Sequence, residues 1–198
     1  LAFYDPKDIE KLEKFLAQKP VSEREMGLQL LNEVVGYAET SMSRRQYILY
    51  YFGEQFDPVE GAGAQMCDNS VHPPKLKEMT KELKLVLTLV KELEEKFKTK
   101  DLIAVLVGKE NPVTKSYKLE TTPHFGLGRN ESENFWKSLI RQATVQNFLV
   151  KDIETYGVLK VTAKGQNVID GKEKHTFLIA EDRHYDLEQQ KAVSDKIQ

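Results

Sequence analysis

The segment spanning residues 101–169 constrains the fold most, because its hydrophobic pattern changes from helical to strand-like along its length. A short apolar helix comes first, a basic loop follows, and an amphipathic helix opens at residues 130–133. Two strand-like runs come next, at residues 149–153 and 158–162, and only four residues join them. Two helices followed by a β-hairpin predict a winged helix. Such modules usually bind duplex nucleic acid, although some serve only as protein docking blocks.

Three further helices are predicted near the N-terminus. Residues 5–18 form the first, with Asp5 as N-cap before Pro6. The second opens with the capping-box spacing at residues 22–25 and carries an apolar stripe. The third, residues 44–52, is apolar on nearly all sides, so it is expected to be buried.

A loop-like stretch at residues 54–74 follows, rich in glycine and proline and without periodicity. The pair Pro73-Pro74 ends it, and residues 76–98 have the pattern of a long helix, the first of the winged unit. The predicted fold class is therefore mostly α with a small β component. The predicted domains are a helical platform at residues 1–74, a winged-helix domain at 75–171 and a polar tail or linker at 172–198.

The net charge of −2 is unevenly distributed along the chain. Residues 76–170 contain 16 Lys and Arg against 13 Asp and Glu, whereas the remainder has 13 against 18. The predicted winged helix is thus the basic part, which favours nucleic acid as its partner. The single cysteine, Cys67, excludes an internal disulfide and fits a reducing compartment. Neither a signal peptide nor a membrane-length apolar run is visible, so we expect a cytoplasmic fragment of a longer protein.

Several short strings, taken together and in order, resemble one family. They are Ser43-Arg44-Arg45 with Tyr51-Phe52-Gly53-Glu54, Met66-Cys67-Asp68-Asn69-Ser70, Gly126-Leu127-Gly128-Arg129, Phe135-Trp136, Ile140-Arg141-Gln142, and Leu159-Lys160-Val161-Thr162 with Gly165. The chain resembles the RecQ C-terminal (RQC) region of RecQ family ATP-dependent DNA helicases over roughly residues 1–180. The resemblance implies the end of the second motor lobe, then a zinc-binding helical platform, then a winged helix. It also implies a bacterial, nucleoid-associated parent acting in DNA repair and recombination.

The departures from the family pattern concern cofactors. The four cysteines that bind zinc in the family correspond here to Ser43, Ala64, Cys67 and Ser70. Structural zinc prefers four nitrogen or sulfur ligands, so one thiol, even with His72 nearby, predicts that the zinc site is lost. No phosphate-binding glycine loop or acidic magnesium motif is present either. ATP and Mg²⁺ are therefore expected in the parent helicase, and the fragment is expected to hydrolyse nothing alone.

The resemblance implies a set of DNA-contacting residues. Arg129 corresponds to a phosphate-contacting position beside the start of the recognition helix, where Asn130 or Ser132 is the cap. Lys137 and Arg141 share one face of that helix, and either groove contact or simple solvent exposure fits them. The hairpin is implied to part the strands at a fork, with Tyr156 stacking at its tip. The predicted DNA-binding residues are Arg129, Lys109, Lys115, Lys118, Ser132, Lys137, Arg141 and Tyr156, and the predicted strand-separating hairpin is Glu154, Thr155, Tyr156 and Gly157.

Two alternatives to DNA binding stay open at this point. The winged helix could be a protein-docking module without a strand-separating role, for example for the acidic tail of a single-strand-binding protein. It could also belong to a transcription regulator, which the motor-like start of the chain disfavours. The expected partners are duplex or forked DNA and the motor lobes of the parent, and no membrane.

Overall fold

The computed structural model describes residues 5–152, 154–155, 157–172 and 176–180. The chain divides into two compact units, one containing residues 5–40 and the other residues 41–180. None of the helices in the described ranges is both long and apolar enough to cross a bilayer.

The first unit is a pair of packed helices, α1 (Pro6–Leu16) and α2 (Val21–Glu39). Asp5 caps α1 as predicted, since its Oδ1 accepts a hydrogen bond from the Lys7 N–H at 2.9 Å. The capping box predicted at the start of α2 is wrong, because Pro20 is the N-cap and its side chain makes no hydrogen bond. The apolar stripe of α2 is largely exposed rather than buried, at Met26, Leu30, Val34 and Tyr37.

The second unit begins with α3 (Arg44–Tyr51), which Ser43 caps through its hydroxyl. The prediction that α3 is buried on nearly all sides is wrong, because Tyr47 is its only buried residue. Phe52, just after the helix, is 70% exposed. The loop that follows contains a 3₁₀ turn (Ala64–Met66) and the short helix α4 (Asp68–Val71).

The remaining elements build the winged helix, and their order matches the predicted helix, helix, hairpin. In chain order they are β1 (Lys77–Glu78), α5 (Thr80–Glu92), α6 (Thr99–Val107), α7 (Pro112–Ser116), a 3₁₀ turn (Leu119–Thr121), α8 (Glu133–Val145), β2 (Leu149–Asp152), β3 (Val158–Val161), α9 (Ala163–Asp170) and β4 (Leu178–Ile179). The prediction of a fold that is mostly α with a small β component is confirmed.

The hairpin of β2 and β3 is the wing. The strands pair antiparallel, with Leu149 opposite Val161 and Asp152 opposite Val158. A third backbone segment joins β3, because the Leu159 N–H donates to the Phe97 carbonyl at 3.1 Å and Lys98 forms a bridge with Val158. The wing is therefore held, at the end of β3 next to the turn, by the chain between α5 and α6.

The single long helix predicted at residues 76–98 is corrected at both ends. Its first residues form β1, which pairs antiparallel with β4, so that Lys77 lies opposite Ile179. Its last residues leave the helix after Glu92, because Glu94 and Glu95 adopt left-handed backbone angles with φ of 55° and 57°. A pairing between two-residue strands about a hundred residues apart leaves no periodic signal in a sequence.

One apolar core lies among α5, α6, α8, α9 and the wing. Its largest fully buried side chains are Trp136, Phe177, Leu83, Leu87, Leu89, Leu102, Leu106, Leu139, Ile140, Leu149, Leu159 and Ile179. Phe177 and Ile179 belong to this core although the predicted winged-helix domain ends at residue 171. The core covers most of α8 and so determines which of its residues face outward.

Candidate nucleic-acid interface

The loop before α8 is packed tightly against the end of α6. The Gly126 and Gly128 N–H groups donate to the Val105 and Leu106 carbonyls, both at 2.7 Å. The Gly128 carbonyl in turn accepts from the Trp136 indole N–H at 2.9 Å. A methyl group on Gly128 would lie 2.6 Å from the Trp136 ring, which is why only glycine fits there. The core thus fixes the position of this loop.

Arg129 projects from that fixed loop. Its Nε–H donates to the Gly126 carbonyl at 2.8 Å, and Gly126 itself has φ +77°. A side chain on Gly126 would collide with the Arg129 guanidinium. Arg129 is exposed, and it has no carboxylate partner in the described part of the chain. The two terminal nitrogens of the guanidinium are therefore available to an anion.

Lys109 and Ser132 lie next to Arg129. Gly108 approaches Gly126 closely, so that Lys109 follows directly from the same packed corner. The Lys109 ammonium pairs with the Glu133 carboxylate at 2.9 Å, and both side chains are more than half exposed. The Ser132 hydroxyl is the N-cap of α8 and accepts from the Phe135 N–H at 3.1 Å. The structure thus brings Lys109, Arg129 and Ser132 together at the start of α8.

Lys115 and Lys118 lie further back, on the segment from α7 to the 3₁₀ turn. Lys115 pairs with Glu110 at 3.0 Å, and this hydrogen bond raises the pKa of the lysine. Lys118 is exposed and has φ +53°, and no acidic side chain among the described residues pairs with it. Of the predicted basic residues in the loop, Lys118 and Arg129 are therefore the ones without a carboxylate partner there.

Lys137 and Arg141 lie on α8 but are only half-exposed. Helix α8 packs against α5, α6, β2 and α3, and nine of its 13 residues are buried. Both basic side chains have interactions within the protein. A recognition helix enters the major groove only with an open face. The outward strip of α8 is narrow, so its first turn is the accessible part.

The turn of the wing lies at the far end of β2 and β3. Within it the structure describes Glu154, Thr155 and Gly157, and Gly157 has φ +86°. Tyr156, the predicted stacking residue, lies outside the described residues, so its predicted role stays a prediction. The turn residues lie on a different element from Arg129, and Val158, which directly follows them, forms the bridge with Lys98.

Asp152 organises this turn, which the sequence reasoning missed. Its Oδ1 accepts from the Glu154 N–H at 3.0 Å, and its carbonyl accepts from the Gly157 N–H at 2.8 Å. Its carboxylate also pairs with Lys160 on β3 at 2.6 Å, and this hydrogen bond lowers the pKa of Asp152. An Asp at the first position of a turn is a sequence signal for such a role.

The positions that hold zinc in the family resemblance also come together. The Cys67 thiol lies 3.0 Å from the Ser70 hydroxyl and 3.9 Å from the Ser43 hydroxyl. Burial acts to raise the pKa of Cys67, but the Ser70 hydroxyl and the Arg44 and Ser70 N–H groups outweigh it and lower the pKa. Nearby, Arg44 forms a two-pronged ion pair with Asp68 at 2.7 and 3.1 Å.

The chain matches two known domain families. Residues 73–184 match the RQC domain family, and residues 6–71 match the RecQ zinc-binding family. The chain belongs to the RQC family. The predicted resemblance to RecQ helicases is thereby confirmed.

Individual relatives agree with this assignment. The chain is 28% identical over 173 residues to the ATP-dependent DNA helicase RecQ of Pasteurella multocida, covering 86% of this chain and 27% of that protein. It is 25% identical over 171 residues to the ATP-dependent DNA helicase RecQ of Bacillus subtilis, covering 85% and 28%. It is also similar, at 27% over 180 residues, to a putative ATP-dependent RNA helicase of Acanthamoeba polyphaga mimivirus, covering 83% of this chain and 32% of that protein. The RQC chain thus spans only about a quarter to a third of the length of these relatives.

The match to the zinc-binding family corrects one prediction. The sequence predicts that the zinc site is lost, and this prediction is contradicted, because residues 6–71 match the RecQ zinc-binding family. The side chains at the corresponding positions are one thiol and two hydroxyls beside the buried Ala64, which is not the donor set that structural zinc prefers. Among the described residues, no group of three or more His, Cys, Asp or Glu side chains is placed to hold a metal ion.

Proposed function

We propose that this RQC chain is the DNA-binding region of an ATP-dependent 3′–5′ DNA helicase of the RecQ type. The names of the bacterial relatives support the kind of parent protein. In this proposal the parent hydrolyses ATP with Mg²⁺ on its motor lobes, and the present chain supplies binding and positioning. The chain contains no phosphate-binding glycine loop, so we expect no ATP hydrolysis by it alone.

The exposed position of the Arg129 guanidinium, held by one hydrogen bond, is the observation that carries the proposal. Its Nε–H is held by the Gly126 carbonyl, so the side chain keeps one direction while its terminal nitrogens stay exposed. The first turn of α8 lies beside it, and the N–H groups there favour an anion. A DNA phosphate fits between the guanidinium and the helix start. An arginine held in advance loses little side-chain entropy when it binds.

The neighbouring lysines widen this phosphate-binding surface. Lys118 is available directly, while Lys109 must exchange the Glu133 carboxylate for a phosphate. Exposed ion pairs contribute only about 0–1 kcal/mol, so such an exchange costs little. Lys115 is in the same situation with Glu110. Because these contacts reach the backbone of DNA, the proposed binding depends little on sequence and strongly on salt.

The wing supplies strand separation in this proposal. The end of β3 next to the turn is tied to Phe97 and Lys98, so the turn with Glu154, Thr155 and Gly157 is held from behind by backbone pairing. Tyr156 is proposed to stack on the terminal base pair, for a gain of about 1–3 kcal/mol. That gain is comparable to the cost of opening one pair. The duplex is then gripped by the start of α8 while the wing meets the fork.

The proposal also covers the division of the chain and its partners. The chain is divided into a platform at residues 1–74, the winged helix at 75–171 and a tail at 172–198. Its partners are the motor lobes of the parent and duplex or forked DNA. A single-strand-binding protein is the partner under the docking alternative.

Binding of a fluorescent blunt duplex, followed by anisotropy at several salt concentrations, tests the proposal. We expect Arg129→Ala to weaken binding about tenfold and to lower the slope of log Kd against log salt by about one. Arg129→Lys should recover part of the loss, because the charge returns without the planar fork. Lys11→Ala, which removes one exposed charge from α1 in the other unit, is the matched control and should change neither quantity.

The docking alternative predicts a different pattern. Unchanged duplex binding by the double variant Arg129→Ala with Lys118→Ala would contradict the DNA-binding proposal. Binding of an acidic peptide that both substitutions weaken would then support docking instead.

A further inference from the structure

Tyr117 is an exposed aromatic residue of the winged helix. Its side chain is 65% exposed. Of the aromatic residues that the structure describes between positions 75 and 180, all others are buried or half-buried. Large aromatic side chains gain most from burial, so one left on the surface and held there is a candidate for a binding role.

The ring of Tyr117 is held in place from below. It packs edge-to-face on Phe97, with ring centroids 5.1 Å apart and planes at 88°. Its backbone N–H donates to the Val113 carbonyl at 3.0 Å, at the end of α7. That helix starts with a full capping box between Asn111 and Thr114. An exposed ring on such a support pays little entropy when a flat partner stacks on it.

Positive charge lies beside the ring. Lys96 directly precedes Phe97, on which the Tyr117 ring packs. The hydrogen bond to the Glu94 carboxylate raises the pKa of Lys96, and Tyr117 acts in the same direction. The pair of Lys96 and Glu94 is exposed on both sides, so it exchanges readily for a phosphate. Lys118 follows in sequence, is exposed, and has no acidic partner in the described part of the chain. An exposed aromatic ring with lysines on neighbouring residues is a combination that proteins use to bind single-stranded nucleic acid.

The position of this surface relates it to the wing. Phe97, on which Tyr117 packs, accepts the Leu159 N–H of β3 through its carbonyl at 3.1 Å. The next residue, Lys98, forms the bridge to Val158. Val158 directly follows the turn, so Tyr117 stands beside the turn end of the wing. A strand that leaves a duplex at the wing would pass this side of the turn.

We propose that Tyr117, with Lys96 and Lys118, is a stacking site for one unpaired nucleotide of single-stranded DNA. The base lies on the Tyr117 ring, and the lysines bind the flanking phosphates. The Tyr117 ring lies on a different segment from Arg129 and the start of α8, and Lys118 is the residue that both surfaces share. It rests on the proposed function only in that the DNA strand comes from a fork at the wing.

The test compares a blunt duplex with the same duplex carrying a short thymidine arm, using the whole 198-residue chain. A fluorescent purine analogue at the first unpaired position reports stacking through quenching. We expect Tyr117→Ala to weaken binding of the forked DNA about five- to hundredfold and to abolish the quenching. Binding of the blunt duplex should change less than about twofold, because phosphate contacts at α8 are untouched. Tyr117→Phe should preserve both signals.

Tyr117→Leu guards against misfolding, because leucine keeps apolar contact with Phe97 but offers no aromatic face. It should behave like Tyr117→Ala in both DNA measurements and should unfold at a temperature close to that of the unmodified chain. Equal losses on forked and blunt DNA, or none on either, would overturn the stacking site. Loss of acidic-peptide binding with unchanged forked-DNA binding would also overturn it.

The outcomes separate this inference from the proposed function. A chain that binds neither DNA defeats both. A chain that binds the blunt duplex through Arg129 but is insensitive to Tyr117 on forked DNA defeats only the stacking site.

Discussion

The start of α8 and the turn of the wing are both proposed to meet DNA, but they are held by different forces. Gly128 sits against the buried Trp136, and the loop before α8 is bonded to the carbonyls of α6. At the wing, one partly exposed side chain, Asp152, holds the turn through hydrogen bonds and an ion pair with Lys160. The first region depends on the core and the second on exposed polar contacts.

This difference matches the two proposed tasks. A phosphate-gripping arginine needs a fixed direction, and close packing supplies it, since interiors are as dense as organic crystals. A wing that enters a fork meets DNA in changing positions, and exposed hydrogen bonds can open and close at low cost. Rigidity and adaptability are thus placed on separate elements of one domain.

The largest expected effect comes from the packed region. Gly128→Ala places a methyl group 2.6 Å from the Trp136 ring, and we expect it to destabilise the fold by about 1–3 kcal/mol through overpacking. Gly171→Ala is the control, because its methyl group meets nothing within 4 Å and only the backbone at φ +67° is strained. That strain should cost about 1 kcal/mol. Thermal unfolding of both variants measures the two losses of stability. A larger loss for Gly171→Ala than for Gly128→Ala would contradict the idea that core packing holds the loop before α8.

A smaller effect is expected where the wing joins the core. The Glu95 carboxylate accepts from the Val161 N–H of β3 at 3.0 Å and pairs with Lys91 at 2.8 Å. Burial acts to raise the pKa of Glu95, but these hydrogen bonds outweigh it and lower the pKa below 4.5. A lowered carboxyl pKa contributes stability above the unfolded pKa, and that contribution is lost as pH falls through the folded value.

Glu95→Gln should therefore lower the free energy of unfolding by about 1 kcal/mol at neutral pH. The difference in free energy of unfolding between Glu95→Gln and the unmodified chain should shrink as the pH falls below 4.5. Urea unfolding at neutral pH and at a pH below 4.5 measures this change. Glu94→Gln is the neighbouring control, since Glu94 is exposed and pairs with the exposed Lys96. A difference that stays constant with pH would show that the carboxylate charge is not the cause.

The smallest effect on stability is expected at the turn itself. Asp152→Ala removes the acceptor for the Glu154 N–H and the partner of Lys160, so the turn amides should exchange hydrogen faster while those of α8 stay protected. In the parent helicase, duplex binding should persist and unwinding should fall. Asp152→Asn keeps the turn acceptor but loses the charge, so it should retain more unwinding. Faster exchange in α8, or lost duplex binding, would contradict the separation of the two regions.

The sequence predicted much of the domain where the signal is local. Helix, helix and hairpin were predicted in the right order, and Ser132 was one of two candidates for the cap of α8. The helix predicted at residues 76–98 is shorter at both ends, because its start pairs with β4 and its end turns through Glu94 and Glu95. Those features depend on partners far away in sequence.

Residue type and spacing alone identified the short motifs shared with the family, the capping serine and the glycines before Arg129. Local backbone geometry selects those residues. Tertiary structure decided which charges are usable. It paired Lys109 with Glu133 and Lys115 with Glu110, left Arg129 and Lys118 without carboxylate partners in the described part of the chain, and half-buried Lys137 and Arg141. It also placed Tyr117 on Phe97, beside the turn end of the wing. Ion pairs and exposure depend on which surfaces meet after folding, and that information is spread over the whole chain.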